Sequence, residues 1–275
     1  MKVYISADME GAIGITAFQQ VSSNYPEFHH FRNVWLDDIN ALAAGAFDAG
    51  AKTVLVNESH ELMNYILPER LDPRITFISG RIKRWNQMEG LDPSFSTAFL
   101  FAHAKAGSEG LLAHSYVPPD IFEMKLNGMP IGEMGLNAAA AGLKGVPISL
   151  VIGDDKTYEE AREFLPDVEA VITKDHITQF TAANRPVEEV RAALRQKAYE
   201  AVKHKGGSLF APQPPYTLEV TFIYPIMKEL PSYIPGVNIT GPRSIAYTSN
   251  DYAELTQVRI LIVNLTKMIG MQVRP

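Results

Sequence analysis

Two short runs rich in β-branched and aromatic residues, KVYIS (2–6) and KTVLVN (52–57), bracket a stretch where Trp35, Ile39, Leu42 and Ala46 recur at helical spacing until Gly50. The runs read as buried strands, and the stripe as a helix stopped by its glycine. Strand, helix and strand in such close order make a βαβ unit, because a parallel neighbour is reached only by a crossover that carries the chain back to its starting end. That unit commits the chain to the α/β class, with a mainly parallel sheet flanked by helices. At 275 residues the chain is long enough to bury a substantial core.

The pattern continues beyond the unit. RITFIS (74–79) and TAFLFAH (97–103) read as strands, and alternating apolar residues around Asn127-Gly128 predict a hairpin over 121–132. The alanine-rich segment 133–145 reads as a helix ended by Gly145. Residues 147–153 and 168–173 read as buried strands with a short acidic helix between them. Val187, Val190, Leu194 and Ala198 mark another amphipathic helix, while 16–33 reads as a long loop. Gly and Pro cluster at 206–216 and mark a boundary. The expected organisation is a main domain over 1–205 and a smaller C-terminal α+β segment over 212–275 packed on it. In that segment Leu218, Val220 and Phe222 alternate as in a half-exposed strand, and Leu255, Val258, Ile262 and Leu265 form the stripe of a terminal helix.

The formal charge of −6, with no stripe of Lys and Arg, argues against a nucleic-acid partner. The densest cationic patch, GRIKRW (80–85), reads as a solvated loop. No apolar run reaches the length of a membrane span, and Asp8 and Glu10 interrupt any signal-peptide pattern, so a cytoplasmic protein without a membrane partner is expected. The chain has no cysteine, which excludes disulfides and thiolate metal sites. A transition metal must then be held by His, Asp and Glu.

Ligand sites in an open parallel sheet gather beyond the carboxyl ends of the strands. Asp8 and Glu10 follow the first run, and Asn57, Glu58 and His60 follow the second. His103 follows AFLF, His114 follows GLLA, and Glu133 starts the alanine-rich helix. Each alone fits a turn, a cap or a hydrogen-bonded loop residue. Together, carboxylates and imidazoles at strand ends match what zinc or manganese takes, with carboxylates in excess as in two-metal hydrolases. His29, His30, His176 and His204 sit in polar contexts and receive no role. Walker A, GxGxxG, HExxH and GxSxG patterns are all missing.

The same residues lie in SADMEG (6–11), VLVNESH (54–60), AHAKAG (102–107), AHS (113–115) and GEMGLNAAAAG (132–142), with MEGLD (88–92) between them. In this set the chain resembles the D-aminopeptidase family, the M55 zinc metallopeptidases of the bacterial dipeptide-operon type. The resemblance implies two zinc ions per subunit, with Asp8 bridging them and Glu10, His60, His103 and Glu133 completing the coordination. It implies a catalytic role for His114 as base, oxyanion stabiliser or nucleophile, and an unperturbed pKa of about 6.5 would let that histidine exchange a proton near neutral pH. Asn57 and Asn137 fit either a supporting bond to the site or a plain turn or cap bond. The resemblance further implies a decameric homo-oligomer. The tract 115–126 and the segment 16–33 depart from the family pattern.

The function expected on this basis is removal of an N-terminal D-amino acid, of the D-Ala type, from short peptides. Another binuclear metallohydrolase, such as an L-peptide amidase or a phosphatase, and a non-catalytic peptide-binding module stand as the alternatives.

Overall fold

A computed structural model describes residues 1–204 and 206–273. In chain order its main elements are β1 (Lys2–Ala7), α1 (Phe18–Val21), α2 (Phe28–Asp48), β2 (Thr53–Glu58), β3 (Thr76–Ile78), β4 (Thr97–Phe101), β5 (Ile121–Leu126) and β6 (Met129–Pro130). There follow α3 (Glu133–Gly142), β7 (Ile148–Asp154), α4 (Asp155–Phe164), β8 (Glu169–Thr178), β9 (Thr181–Asn184) and α5 (Val187–His204). The last part holds β10 (Tyr216–Phe222), β11 (Asn238–Gly241), β12 (Ser244–Ser249) and α6 (Tyr252–Val273).

The seven-stranded sheet runs β3-β2-β1-β4-β7-β8-β9. All its pairings are parallel except β8–β9, so the α/β expectation holds. Strand order grows leftward from β1 to β3 and then restarts on the other side of β1 with β4. That reversal opens a crevice at the carboxyl ends of β1 and its two neighbours.

Both faces of this sheet are covered. Val3, Ile5 and Ala7 of β1 pack with Trp35, Ile39 and Leu42 of α2 and with Leu194 of α5. Gly45 of α2 lies so close to the backbone at Arg195 of α5 that no side chain fits between the two helices. Tyr4 of β1 points to the opposite face, toward α3, α4, α6 and a second, five-stranded antiparallel sheet of order β11-β12-β10-β5-β6. Along β10, Tyr216, Leu218, Val220 and Phe222 are buried and the residues between them are half-buried, as their alternation predicts.

Local readings change in places. The expected loop 16–33 contains α1 and the start of α2, because Phe28 and Phe31 extend the helical stripe that Trp35 continues. The run at 74–79 shortens to three residues. The short strands β9, β11 and β12 carry few large apolar residues and give little periodic signal. The hairpin centred on Asn127-Gly128 forms, with both residues at positive φ, but it joins the second sheet through β5–β10 pairing. Residues 121–130 and 216–249 therefore share one sheet although α3 to α5 intervene.

Candidate active site

Asp8 is the first residue beyond β1. The chain then turns instead of staying extended, with the Ala12 N–H donating to the Met9 carbonyl at 3.0 Å. The turn, rather than strand alternation, brings Asp8 and Glu10 to one side and drives Met9 fully into the core. Gly11 sits where an added Cβ would lie 2.5 Å from the Ile152 carbonyl oxygen and 2.9 Å from the Ala102 nitrogen. Close approach of three strand ends thus demands glycine here. Beneath the turn, the wholly buried Lys174 Nζ donates to the carbonyls of Glu10 at 2.6 Å and Ala12 at 2.7 Å.

Three histidines converge on these carboxylates, each with one ring nitrogen tied to a backbone carbonyl. His60 Nε2 lies 2.6 Å from the Val21 oxygen, His103 Nδ1 lies 3.0 Å from the Ala104 oxygen, and His114 Nδ1 lies 2.7 Å from the Leu112 oxygen. A carbonyl only accepts, so each outer nitrogen carries the proton and each inner nitrogen faces the site. His60 Nδ1 stands 3.0 Å from Asp8 Oδ1 and 3.1 Å from Glu10 Oε2. His103 Nε2 stands 3.9 Å from Asp8 Oδ2 and 3.4 Å from Glu133 Oε1, and is buried with no hydrogen bond among the described residues. The His114 ring stacks on that of His103 at 3.9 Å, with its Nε2 3.8 Å from Glu133 Oε1. Ligand atoms of Asp8, Glu10 and His103 gather within 4.8 Å of one another, as do those of His103, His114 and Glu133.

The charge state follows from this packing. Burial, reinforced by the Glu10 charge, pushes the Asp8 carboxyl up to about 8. Burial also works against ionising Glu10, but the His60 charge outweighs it and holds that carboxyl well below its ordinary value. Burial works against charging His60 and His103 too, yet Glu10 holds His60 well above its ordinary value and Glu133 raises His103 to about 10. For His114, burial and the neighbouring His103 charge act together and push the ring down to about 4. The expectation of a histidine titrating near neutrality therefore gives way to one that stays neutral there, with its lone pair on Nε2. Buried carboxylates, inward-facing imidazole nitrogens and an orphaned His103 Nε2 form a donor set suited to a divalent cation.

A layer of polar side chains holds the carboxylates. Gln87 donates through Nε2 to Asp8 Oδ2 at 3.3 Å and to Glu133 Oε2, and its Oε1 accepts from Asn137 Nδ2 at 2.9 Å. The Tyr116 N–H donates to Glu133 Oε1 at 2.6 Å. Ser6 and Tyr4, on the opposite face of β1 from Val3 and Ile5, hold the backbone of the Gln87 turn through the carbonyls of Gln87 at 2.8 Å and Glu89 at 2.9 Å. Asn137, one turn after Glu133, thus supports the site through Gln87. Asn57 serves the turn, donating to the Asn86 carbonyl at 3.2 Å and accepting from Lys83 Nζ at 2.8 Å.

Over the cluster opens a cavity of about 560 Å³, reached by Asp8, Glu10, His60, His114 and Glu133. Its walls come from Phe18, Val21 and Tyr25, from Tyr116 to Pro119, and from Lys267 and Met271 of α6. The two tracts that depart from the family pattern, 16–33 and 115–126, are therefore wall segments.

Asp8, Glu10, His60, His103, His114 and Glu133 come together at this site. Glu58, which also ends β2, turns away and accepts from the Tyr65 N–H and the Ser79 hydroxyl. His29 and His30 are exposed on α2. Gln87, Lys174 and Lys267 escaped the sequence reading. Gln87 directly precedes MEGLD and was within reach of it, whereas the two lysines lie far along the chain with no local signal.

A family model described as D-aminopeptidase, Peptidase M55, matches residues 1–260. A curated D-aminopeptidase of Bacillus subtilis (strain 168) is 33% identical over 269 residues, covering 96% of this chain and 97% of the relative. The solved structure of the Zn-dependent D-aminopeptidase DppA from Bacillus subtilis, a self-compartmentalizing protease, superposes with a TM-score of 0.94 at 31% identity, over 97% of this chain and 98% of that one. With its whole fold and most of its length shared in this way, the chain belongs to the D-aminopeptidase family of M55 peptidases and is a peptide-bond hydrolase.

Proposed function

We propose that this protein is a zinc aminopeptidase that removes an N-terminal D-residue, of the D-Ala type, from short peptides, using two metal ions. Asp8, Glu10, His60, His103 and Glu133 would hold them. The observation that carries the reading is the placement of Asp8: Oδ1 faces His60 and Oδ2 faces His103, so one carboxylate stands between two imidazoles. Glu10 lies beside His60 and Glu133 beside His103, so these four side chains together with Asp8 would hold the metal. Zinc, when bound, supplies a Lewis acid for the scissile carbonyl and lowers the pKa of water toward ~7.

The chain's own groups would do the rest. His114 Nε2 accepts the proton of the attacking water as the carbon–oxygen bond forms, and returns it to the leaving amine as the carbon–nitrogen bond breaks. Its outer N–H is fixed on the Leu112 carbonyl, so the lone pair points at the reaction. The metal pole would take the substrate's free amino end, and the apolar walls limit the water around it. The test is zinc content measured beside initial rates on matched D-Ala and L-Ala dipeptides. About two zinc per chain and chelator-sensitive preference for the D-peptide are expected. Well under one zinc per chain, or equal rates on both peptides, would reject the reading.

A further inference from the structure

The metal cluster forms one pole of the cavity, and α6 supplies a wall that no part of the chemistry above uses. Ile260, Val263, Asn264, Lys267 and Met271 follow one another at helical spacing along the face of α6 that borders this cavity and the adjoining side pocket of about 120 Å³. The opposite face, with Leu255, Val258, Ile262 and Ile269, is buried in the core and fixes the rotation of the helix. Lys267 is half-buried and borders both spaces, yet it makes no hydrogen bond or ion pair among the described residues. The carboxylate of Glu61, which shares the wall, is already engaged by the hydroxyls of Tyr65 and Ser23. A half-buried cation on a wall that also carries Val117, Pro118 and Met271, with no hydrogen bond or ion pair among the described residues, is a site for an anion delivered from outside.

We propose that Lys267 receives the C-terminal carboxylate of the substrate, so that the cavity selects short zwitterionic peptides with a free carboxyl end. The proposal rests on the aminopeptidase reading of the same cavity. The metal pole would take the free amino end and Lys267 the free acid end, and the chain between them is limited to what a space of about 560 Å³ encloses. Arg81, which borders the side pocket and donates from Nη2 to Asn264 Oδ1 at 3.0 Å, adds a second positive charge behind Lys267.

The test uses the zinc-loaded protein and a non-cleavable D-alanyl dipeptide in which a methyleneamine replaces the peptide bond. Calorimetry compares its free acid with its C-terminal amide. The acid should bind the wild type about tenfold tighter, as expected for a charge-assisted bond. That gap should collapse in Lys267→Met and persist in Lys267→Arg. Equal binding of acid and amide by the wild type, the same gap in Lys267→Met, or no binding of either would overturn the proposal. Rates on the cleavable D- and L-Ala dipeptides are measured in parallel. A clear acid-over-amide gap without D-peptide hydrolysis would sink the aminopeptidase reading and leave the carboxylate site standing.

Discussion

His114 differs from its two neighbours by the company it keeps. His60 and His103 each face carboxylates that favour a proton, whereas His114 lies against the His103 ring and is pushed down to about 4. A bound cation would push in the same direction. Replacing His114 with Ala should therefore lower turnover by about 10²- to 10⁴-fold, the usual contribution of a general base, while zinc content stays near the wild-type level. Wild-type turnover in that variant would remove His114 from the mechanism. The other titratable groups make metal uptake depend on pH. Without metal, Asp8 at about 8 and His103 at about 10 hold protons at neutrality, and His60 is likewise raised. Ligands must shed those protons to bind, so zinc affinity should rise as pH increases from 6 to 9. A zinc titration showing constant affinity over that range would contradict this charge assignment.

At the scale of elements, the site depends on how strand ends meet. β1 lies between β2 and β4, so Asp8 and Glu10 fall between His60 and His103, and α3 brings Glu133 in from the opposite face. The turn after β1 is held from below by Lys174 on β8, which burial lowers to about 8. Lys174→Met would leave the carbonyls of Glu10 and Ala12 without their donor at a cost of about 1–3 kcal/mol. It should lower both the unfolding midpoint and zinc affinity, measured by chemical denaturation and metal titration. Unchanged zinc affinity in a folded Lys174→Met protein would show that the clamp serves stability alone.

For the whole molecule, the two sheets and α6 enclose a cavity that no single segment lines. Among the described residues no helix is long and apolar enough to cross a membrane. The protein nonetheless exposes large apolar side chains, among them Ile82 at 83%, Met271 at 76% and Tyr233 at 74%. Burying such groups between copies of the chain fits the self-compartmentalizing behaviour described for DppA. We expect a homo-oligomer, and sedimentation velocity at micromolar concentration checks this. A single monomeric species would refute it.

The sequence by itself determined the strands of the parallel sheet, the helices with clear apolar stripes, and the carboxylates and imidazoles that stand as candidate ligands. Each of those signals is local: a run of β-branched residues, a period near 3.6, or a carboxylate or imidazole at the end of a run. It left open whether Asn57 and Asn137 were structural, and the answer depended on Gln87, which touches Asp8, Glu133 and Asn137 across distant parts of the chain. Tertiary structure alone decided the neutral state of His114, the clamp by Lys174 and the placing of Lys267 on the cavity wall. Burial, neighbouring charge and long-range contact fix these three properties, and no short stretch of residues encodes them.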